Sequence, residues 1–337
     1  MKVAILKETN RFEVIDYPKP ILESKGALVK VLGCGLCGSD IVKMKKAVKE
    51  EIVLGHEIVG IIQEINTETD FKVGDKIVLG HHVPCFNCEY CRGESYSMCR
   101  TFKKTNIKPG GFCEFLKVSE AHLKNTVCKM PPEMSDVVAS FTEPLSCCVR
   151  AVKRSEIKEG DTVLVVGLGS IGLLMGQAAK VYGAKVIGCD LLKERLSFAK
   201  KFGFDETILY QSNETTSELL KKKMDTPSGV DKVILTAGND NSVDFALKSV
   251  RDGGTITIFA SIKSNDKGFF NNEIYYRELT VKGSYSPSPA DIKESFSLLK
   301  SGKIKIDNMT SIYDLEEINQ AVADFTSNKI LKAYIKV

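Results

Sequence analysis

The apolar and polar positions of this chain follow two rhythms. Residues 2–6, 12–17, 27–34, 58–65 and 76–79 are short apolar or alternating runs, separated by turn signals such as Pro18-Lys19-Pro20 and Val73-Gly74-Asp75. That spacing predicts a small barrel or sandwich rather than a parallel sheet. From residue 151 to about 285 the rhythm becomes strand–helix–strand. The apolar, β-branched run 163–166 predicts a strand buried on both faces, followed by a helix over 173–182 and a strand over 185–189. Further helices are predicted over 192–202, 218–224 and 242–250, and strands over 206–210, 230–236, 255–260 and 279–283. Six strands with intervening helices predict an open, parallel, doubly wound sheet. The polar stretch 211–229 reads as solvated surface. Residues 290–301 and 315–327 predict helices, the second with Ile318, Ala321, Val322 and Phe325 on its apolar face, and 333–337 predicts a closing strand.

Between the first two strands of the second rhythm lies Gly167-Leu168-Gly169-Ser170-Ile171-Gly172, and Asp190 follows 18 positions after the last of these glycines. Each part has a task in dinucleotide binding. Gly167 makes the tight turn, Gly169 lets backbone approach a pyrophosphate, and Gly172 lets the helix pack closely on the strand. The helix N-terminus, at Ser170 and Ile171, faces the phosphate charge. Alone, such a glycine pattern also fits an ordinary loop; its strand–turn–helix–strand setting is what makes it a fingerprint.

Composition narrows the class. The chain has 337 residues, and its 47 Lys and Arg against 43 Asp and Glu give no pull toward nucleic acid or membrane. Charges come too early in MKVAILKETNRFEVID for a signal peptide, so a cytoplasmic enzyme is expected. The longest uncharged run, 162–179, contains four glycines and two elements of different period, which excludes a membrane span. Eleven cysteines, an odd number bunched in one region, do not read as a disulfide framework. Scattered ones such as Cys34, Cys113, Cys128 and Cys189 read as small buried apolar residues.

Two clusters carry metal chemistry. Cys37-Gly38-Ser39-Asp40 is answered by Gly55-His56-Glu57. A thiolate and an imidazole suit zinc, and a hydroxyl two residues past the cysteine is placed to take a proton. These residues also read as a turn cysteine and a strand-initial histidine. The second cluster, Cys85, Cys88, Cys91 and Cys99, falls in a loop with Pro84, Asn87 and Gly93. Four thiols so spaced match a closed tetrahedral site, which leaves no position for substrate and is therefore structural. A redox CxxC would leave the third and fourth cysteines unexplained.

Both clusters, in this order and followed by the fingerprint, resemble the zinc-containing medium-chain dehydrogenase/reductases over essentially the whole chain. The polyol and threonine dehydrogenase branch looks closer than the classical liver-type alcohol dehydrogenases. The resemblance implies an α/β Rossmann nucleotide-binding domain over 151–285 plus a GroES-like β-barrel catalytic domain over 1–150, to which 286–337 returns. It implies NAD and two zinc ions per chain, one catalytic in the cleft and one structural. Cys37 and His56 then look like catalytic zinc ligands, with Glu57 binding zinc directly or in alternation with water. Asp40 looks like the partner that fixes the His56 tautomer, and Ser39 like the first proton acceptor. Glu143, in Phe141-Thr142-Glu143-Pro144-Leu145-Ser146, resembles the ligand that replaces a cysteine in the polyol branch; it also suits a helix start, with Pro144 at the first position. Cys147 and Cys148 match no family ligand. Asp190 matches the residue that accepts the adenosine ribose hydroxyls, and Arg195 a family cation near that ribose. The implied reaction moves a hydride between a secondary alcohol, polyol or sorbitol/iditol-like, and NAD, in a homodimer or homotetramer.

The chain also departs from that family. Val42 stands where many relatives carry a histidine that helps the proton leave, and Ser284-Tyr285-Ser286-Pro287 stands where sorbitol dehydrogenases carry an Arg-Tyr pair. Lys43, Lys45, Lys46 and Lys49 crowd the stretch between Ser39 and His56. They read as a solvated basic loop, or, through Lys43, as a contact for an anionic substrate. Sugar phosphates, amino alcohols and simple secondary alcohols are therefore rival substrates. A catalytically silent, crystallin-like NAD(H)-binding protein is the rival of another class, but it would need none of Cys37, Ser39, His56 and Glu143.

Overall fold

The structure is a computed structural model, and it describes residues 1–7, 11–45, 51–224, 228–238, 240–261 and 272–337. Its strands, in chain order, are β1 (Lys2–Leu6), β2 (Phe12–Asp16), β3 (Gly26–Leu36), β4 (Ile52–Val53), β5 (Glu57–Ile65), β6 (Lys76–Leu79), β7 (Phe115–Ser119) and β8 (Val127–Lys129). There follow β9 (Thr162–Val166), β10 (Lys185–Asp190), β11 (Glu206–Leu209), β12 (Val230–Leu235), β13 (Val250–Ile258), β14 (Thr280–Gly283), β15 (Thr310–Asp314) and β16 (Lys332–Lys336). Two compact units result, one of Met1–Ser146 with Pro287–Val337 and one of Cys147–Ser286.

In the first unit, β1 pairs with β2 and β4, and a seven-stranded sheet runs β15-β16-β3-β5-β6-β8 with β7 also on β3. The long strand β3 is the axis of this unit. Antiparallel neighbours β16, β5 and β7 share its edges, and irregularities between Leu28 and Val29 and between Val31 and Gly33 let it bend. Inward-facing Val29, Val31, Ile58, Ile62, Ile77 and Leu116 are each at most 1 % exposed and close a core with Phe112 and Ile335. The expected barrel-like β unit is thus present. Its closure depends on strands that the apolar pattern does not announce: β7 and β8 are short, and β15, at the sheet edge, exposes Ile312.

The second unit is the doubly wound sheet that the strand–helix alternation predicts. Its six strands are all parallel, in the order β11-β10-β9-β12-β13-β14. The chain works outward from β9 to β11 and then resumes on the other side at β12, so the order switches between β9 and β12. Ligands of such sheets sit at the carboxyl ends of the strands flanking that switch. Among the described residues no helix is long and apolar enough to cross a membrane.

Some bounds differ from expectation for physical reasons. The helix after β9 spans Ser170–Val181 and so begins within the glycine pattern, not at Leu173. The helix expected from Glu218 begins at Asn213. Ser212 Oγ accepts the Thr215 N–H at 3.2 Å, and the Thr216 hydroxyl accepts the Gln211 N–H at 3.0 Å. Thr216, Ser217 and Leu220 are buried, so this stretch is not merely solvated surface. Strand β13 begins at Val250 rather than Thr255.

Gly167 has φ +93°, a left-handed conformation that favours glycine. A Cβ at Gly172 would overlap the carbonyl oxygen of Gly167, a backbone atom that cannot swing away. Gly172→Ala should therefore destabilise the second unit by roughly 1–3 kcal/mol. Calorimetry should show a lowered thermal midpoint, and an unchanged one would contradict this packing.

Candidate active site

The first cluster is built at the ends of β3 and β5. Cys37 follows β3 directly and caps the helix Gly38–Met44, accepting the Ser39 N–H at 3.5 Å. Asp40 completes the cap, its Oδ2 accepting the Cys37 N–H at 3.1 Å, while its Oδ1 lies 3.4 Å from His56 Nδ1. That arrangement turns Nδ1 of His56 to Asp40 and leaves Nε2 as the ring nitrogen not engaged by Asp40. Glu57 opens β5, so adjacent residues bring an imidazole and a carboxylate to one place. One ligand atom from each of Cys37, His56 and Glu57 lies within 4.8 Å of the others.

Glu143, in the first turn of the helix Thr142–Arg154, lies outside that group of three; its Oε1 is 3.6 Å from His81 Nδ1. Burial raises its pKa to about 7, opposed by His56 and reinforced by Glu57. At His56 burial favours the neutral ring, yet Asp40 and Cys37 outweigh it and hold the pKa well above the ordinary histidine value. At Asp40 burial opposes ionisation, but His56 and the Cys37 N–H keep the pKa below the ordinary value. These donors therefore draw positive charge inward, as the ligands of a divalent cation would. The residues fit zinc: a sulfur, an imidazole nitrogen and a carboxylate leave a position open.

Two residues here escape the sequence reading. Lys332, fully buried at the start of β16, donates to Glu57 Oε1 at 2.6 Å and contacts Oε2 as well. Burial disfavours its charge, but Glu57, Cys37 and Glu143 offset this and raise its pKa. His81 lies with its ring centroid 4.7 Å from that of His56 and 4.1 Å from that of His82. Its buried Nδ1 has no hydrogen-bond partner among the described residues, and burial, with His56 and His82, pushes its pKa well down. The signal for His81 was available: two of only four histidines in the chain sit side by side just before Cys85. No spacing signals Lys332. Ser39 and Lys43 are exposed, Val42 is 50 % exposed, and Lys46 and Lys49 lie outside the described residues.

The second cluster brings its four cysteines together. Cys88 caps the helix Glu89–Arg92 that carries Cys91, and Cys99 caps the helix Arg100–Lys104. Sγ–Sγ separations are 3.5 Å for Cys88–Cys91, 3.5 Å for Cys99–Cys85 and 3.9 Å for Cys85–Cys91. A tetrahedron with Zn–S near ~2.3 Å has edges of about 3.8 Å, whereas a disulfide would need about 2.05 Å. Burial opposes a thiolate at Cys99, but the backbone N–H groups of Cys85 and Phe102 prevail and bring it to about 6. Phe102 and Tyr96 pack against the group.

In the second unit, the helix Ser170–Val181 has Gly169 at its N-cap, which has no side chain to bond the first N–H groups. They remain available to an anion. Nearby is a cavity of about 340 Å³, lined in part by Gly167, Asp190, Arg195, Tyr210 and Phe245. Asp190 Oδ2 accepts the Leu168 N–H at 2.6 Å and Oδ1 the Leu192 N–H at 2.9 Å, which aims the carboxylate. Arg195 Nη1 stands 3.6 Å from Oδ2.

Known proteins align with this architecture. Residues 23–132 match the alcohol dehydrogenase GroES-like domain, and residues 170–301 match the zinc-binding dehydrogenase domain. D-xylulose reductase A of Aspergillus oryzae is 30% identical over 354 residues, covering 98% of this chain and 95% of that protein. Galactitol-1-phosphate dehydrogenase of Escherichia coli superposes with a TM-score of 0.86 over 100% of both chains at 26% identity. A chain of Sinorhizobium meliloti 1021 described as a zinc-binding dehydrogenase, solved with NADP, superposes with a TM-score of 0.88 at 28% identity, covering 100% of this chain and 99% of its own. The chain therefore belongs to the zinc-containing medium-chain dehydrogenases, oxidoreductases that pair a GroES-like unit with a Rossmann-type nucleotide-binding unit.

Proposed function

We propose that the chain interconverts an unphosphorylated polyol, or another vicinal secondary alcohol, and its ketone with NAD. One zinc would bind at Cys37 and His56 with a carboxylate, and a second among Cys85, Cys88, Cys91 and Cys99. The observation that carries this reading is the convergence of Cys37, His56 and Glu57 within 4.8 Å, a set short of the four donors of a closed site. A zinc ion held there supplies Lewis acidity that lowers a hydroxyl pKa, and the nicotinamide supplies the hydride acceptor. Asp40 orients His56 through Nδ1. Ser39, exposed two residues past Cys37, accepts the hydroxyl proton. Val42 offers no titratable group, so Ser39 would act as a relay, its exposed hydroxyl releasing its own proton to water as it accepts the one from the substrate. The likeness to a D-xylulose reductase supports a polyol–ketose pair. Eleven free cysteines suit the reducing cytoplasm to which we assign the enzyme.

The two metal sites should separate by mutation. Cys88→Ser should lower folding stability and zinc content, because structural zinc binding is coupled to folding. Cys37→Ser should keep the fold and lose turnover by more than the roughly 10–100-fold that changes behind the ligands cause. Thermal melts and coenzyme absorbance check both, and two stable, active variants would refute the assignment.

Cofactor choice turns on Asp190. Its carboxylate can accept the ribose hydroxyls and repels a 2′-phosphate, with roughly 4 kcal/mol between like charges about 4 Å apart near a protein surface. Arg195 is the opposing feature, and the NADP-bound relative shows that this architecture tolerates the phosphate. NAD should be favoured at least about tenfold in kcat/KM, part of that Coulomb difference, and Asp190→Gly should narrow the gap. A preference for NADP in the wild type would contradict this.

Substrate charge is tested through Lys43. Lysine binds phosphate as a point charge, and galactitol-1-phosphate dehydrogenase shares the fold. Matched polyols with and without phosphate should favour the neutral compound in kcat/KM, with little change in Lys43→Ala. A strong phosphate preference that this variant abolishes would reverse the substrate class.

A further inference from the structure

Thr236 follows β12 directly and stands at the switch between β9 and β12, against the turn that opens the glycine pattern. Its hydroxyl oxygen lies 2.6 Å from the Gly167 carbonyl oxygen and 3.0 Å from that of Val166. A hydroxyl has one proton to donate. The Val166 carbonyl already accepts the Thr236 and Ala237 N–H groups, at 3.0 and 3.3 Å, so the shorter bond, to Gly167, takes that proton. On the other side of the same turn, Asp190 Oδ2 accepts the Leu168 N–H at 2.6 Å. The Gly167 carbonyl and the Leu168 N–H belong to one peptide plane. That plane is therefore held at both ends, by a hydroxyl from the end of β12 and a carboxylate from the end of β10.

Glycine makes such a hold necessary. Gly167 has φ +93°, and without a Cβ it passes between backbone states that other residues rarely enter. Unheld, its peptide plane is free to turn over. That would set the carbonyl oxygen against the Asp190 carboxylate and re-aim the residues that follow. Those residues, Gly169 to Ile171, lead into the helix whose first N–H groups have no side-chain cap. The bare glycines also leave room for the brace, since a Cβ at Gly167 or Gly172 would come within 3.1 Å of Thr236 Oγ1. We propose that Thr236 is a positioning residue for the dinucleotide: with Asp190 it clamps the Gly167–Leu168 peptide, so that the open N–H groups meet the pyrophosphate. This rests on the reading of the second unit as the nucleotide-binding one. Asp190 then serves the ribose and the turn at once. A change made there to alter cofactor choice also loosens the turn and leaves Thr236 as its remaining anchor.

The test measures Kd on the full chain by calorimetry, with NADH, ADP-ribose and adenosine as probes. Thr236→Val keeps the shape of the side chain and removes the hydroxyl. It should weaken NADH and ADP-ribose, which carry the pyrophosphate, on the order of tenfold, the scale of a carbonyl left without its donor. Adenosine, which carries no phosphate, should bind as in wild type. Thr236→Ser restores the donor and should restore all three affinities. A merely structural threonine would lower the melting temperature and either leave the three affinities unchanged or weaken them alike, and both results overturn the proposal. In an Asp190→Ala background, Thr236→Val should weaken ADP-ribose by a larger factor than in wild type, because the plane then loses its last anchor. An equal or smaller factor overturns the two-ended clamp. Should Thr236→Val not fold, Thr236→Ala is read against the same outcomes. Failure of the underlying reading looks different. A wild-type protein that binds neither NADH nor ADP-ribose has no nucleotide site, and the proposal falls with it.

Discussion

Three carboxylates, a thiol and an imidazole share a largely buried patch of the first unit, and an interior of low polarity tolerates charge only when it is paired. Asp40 is compensated by His56 and by the Cys37 N–H, and Glu57 by Lys332. Glu143 stands 3.6 Å from His81 Nδ1, and burial lifts its pKa to about 7. The surplus of negative groups also draws a proton onto His56. A divalent cation satisfies all of these demands at once, so the charge balance of the patch and the family's chemistry agree. By pairing with β3, the last strand brings to Glu57 the cation that compensates its burial there.

The second unit meets a related constraint by other means. Its helix Ser170–Val181 starts without a side-chain cap, so partial positive charge is left facing outward at the switch between β9 and β12. Asp190, aimed by two backbone N–H groups, sets a negative charge close by. A ligand carrying phosphates at one point and hydroxyls at another suits both. One unit thus offers the groups for proton and metal chemistry, and the other the groups for a dinucleotide.

What could be read from the sequence was local. The glycine pattern, the four spaced cysteines and the strand at 76–79 each depend on neighbours within a turn or a loop, and the expected sheet of six parallel strands follows from alternation alone. The Lys332–Glu57 pair could not be read, because it depends on the register of three strands drawn from both ends of the chain. Read linearly, Lys332 is a charge at the edge of an apolar strand, and such charges usually face water. The expected helix over 218–224 is shorter than the observed Asn213–Met224 for another reason. Threonine and serine weaken a helix pattern, yet here Thr216 and Ser217 are buried. His81 has no ligand spacing of its own, and only the fold brings its ring against that of His56.

Two metal positions of unlike character in one unit are the central proposal. Diffraction from crystals of the purified protein, recorded on both sides of the zinc absorption edge, tests this most directly. Two anomalous peaks per chain are predicted, one enclosed by Cys85, Cys88, Cys91 and Cys99 and one beside Cys37 and His56. A single peak among the four cysteines, with none beside Cys37 and His56 in fully zinc-supplied protein, would contradict the account.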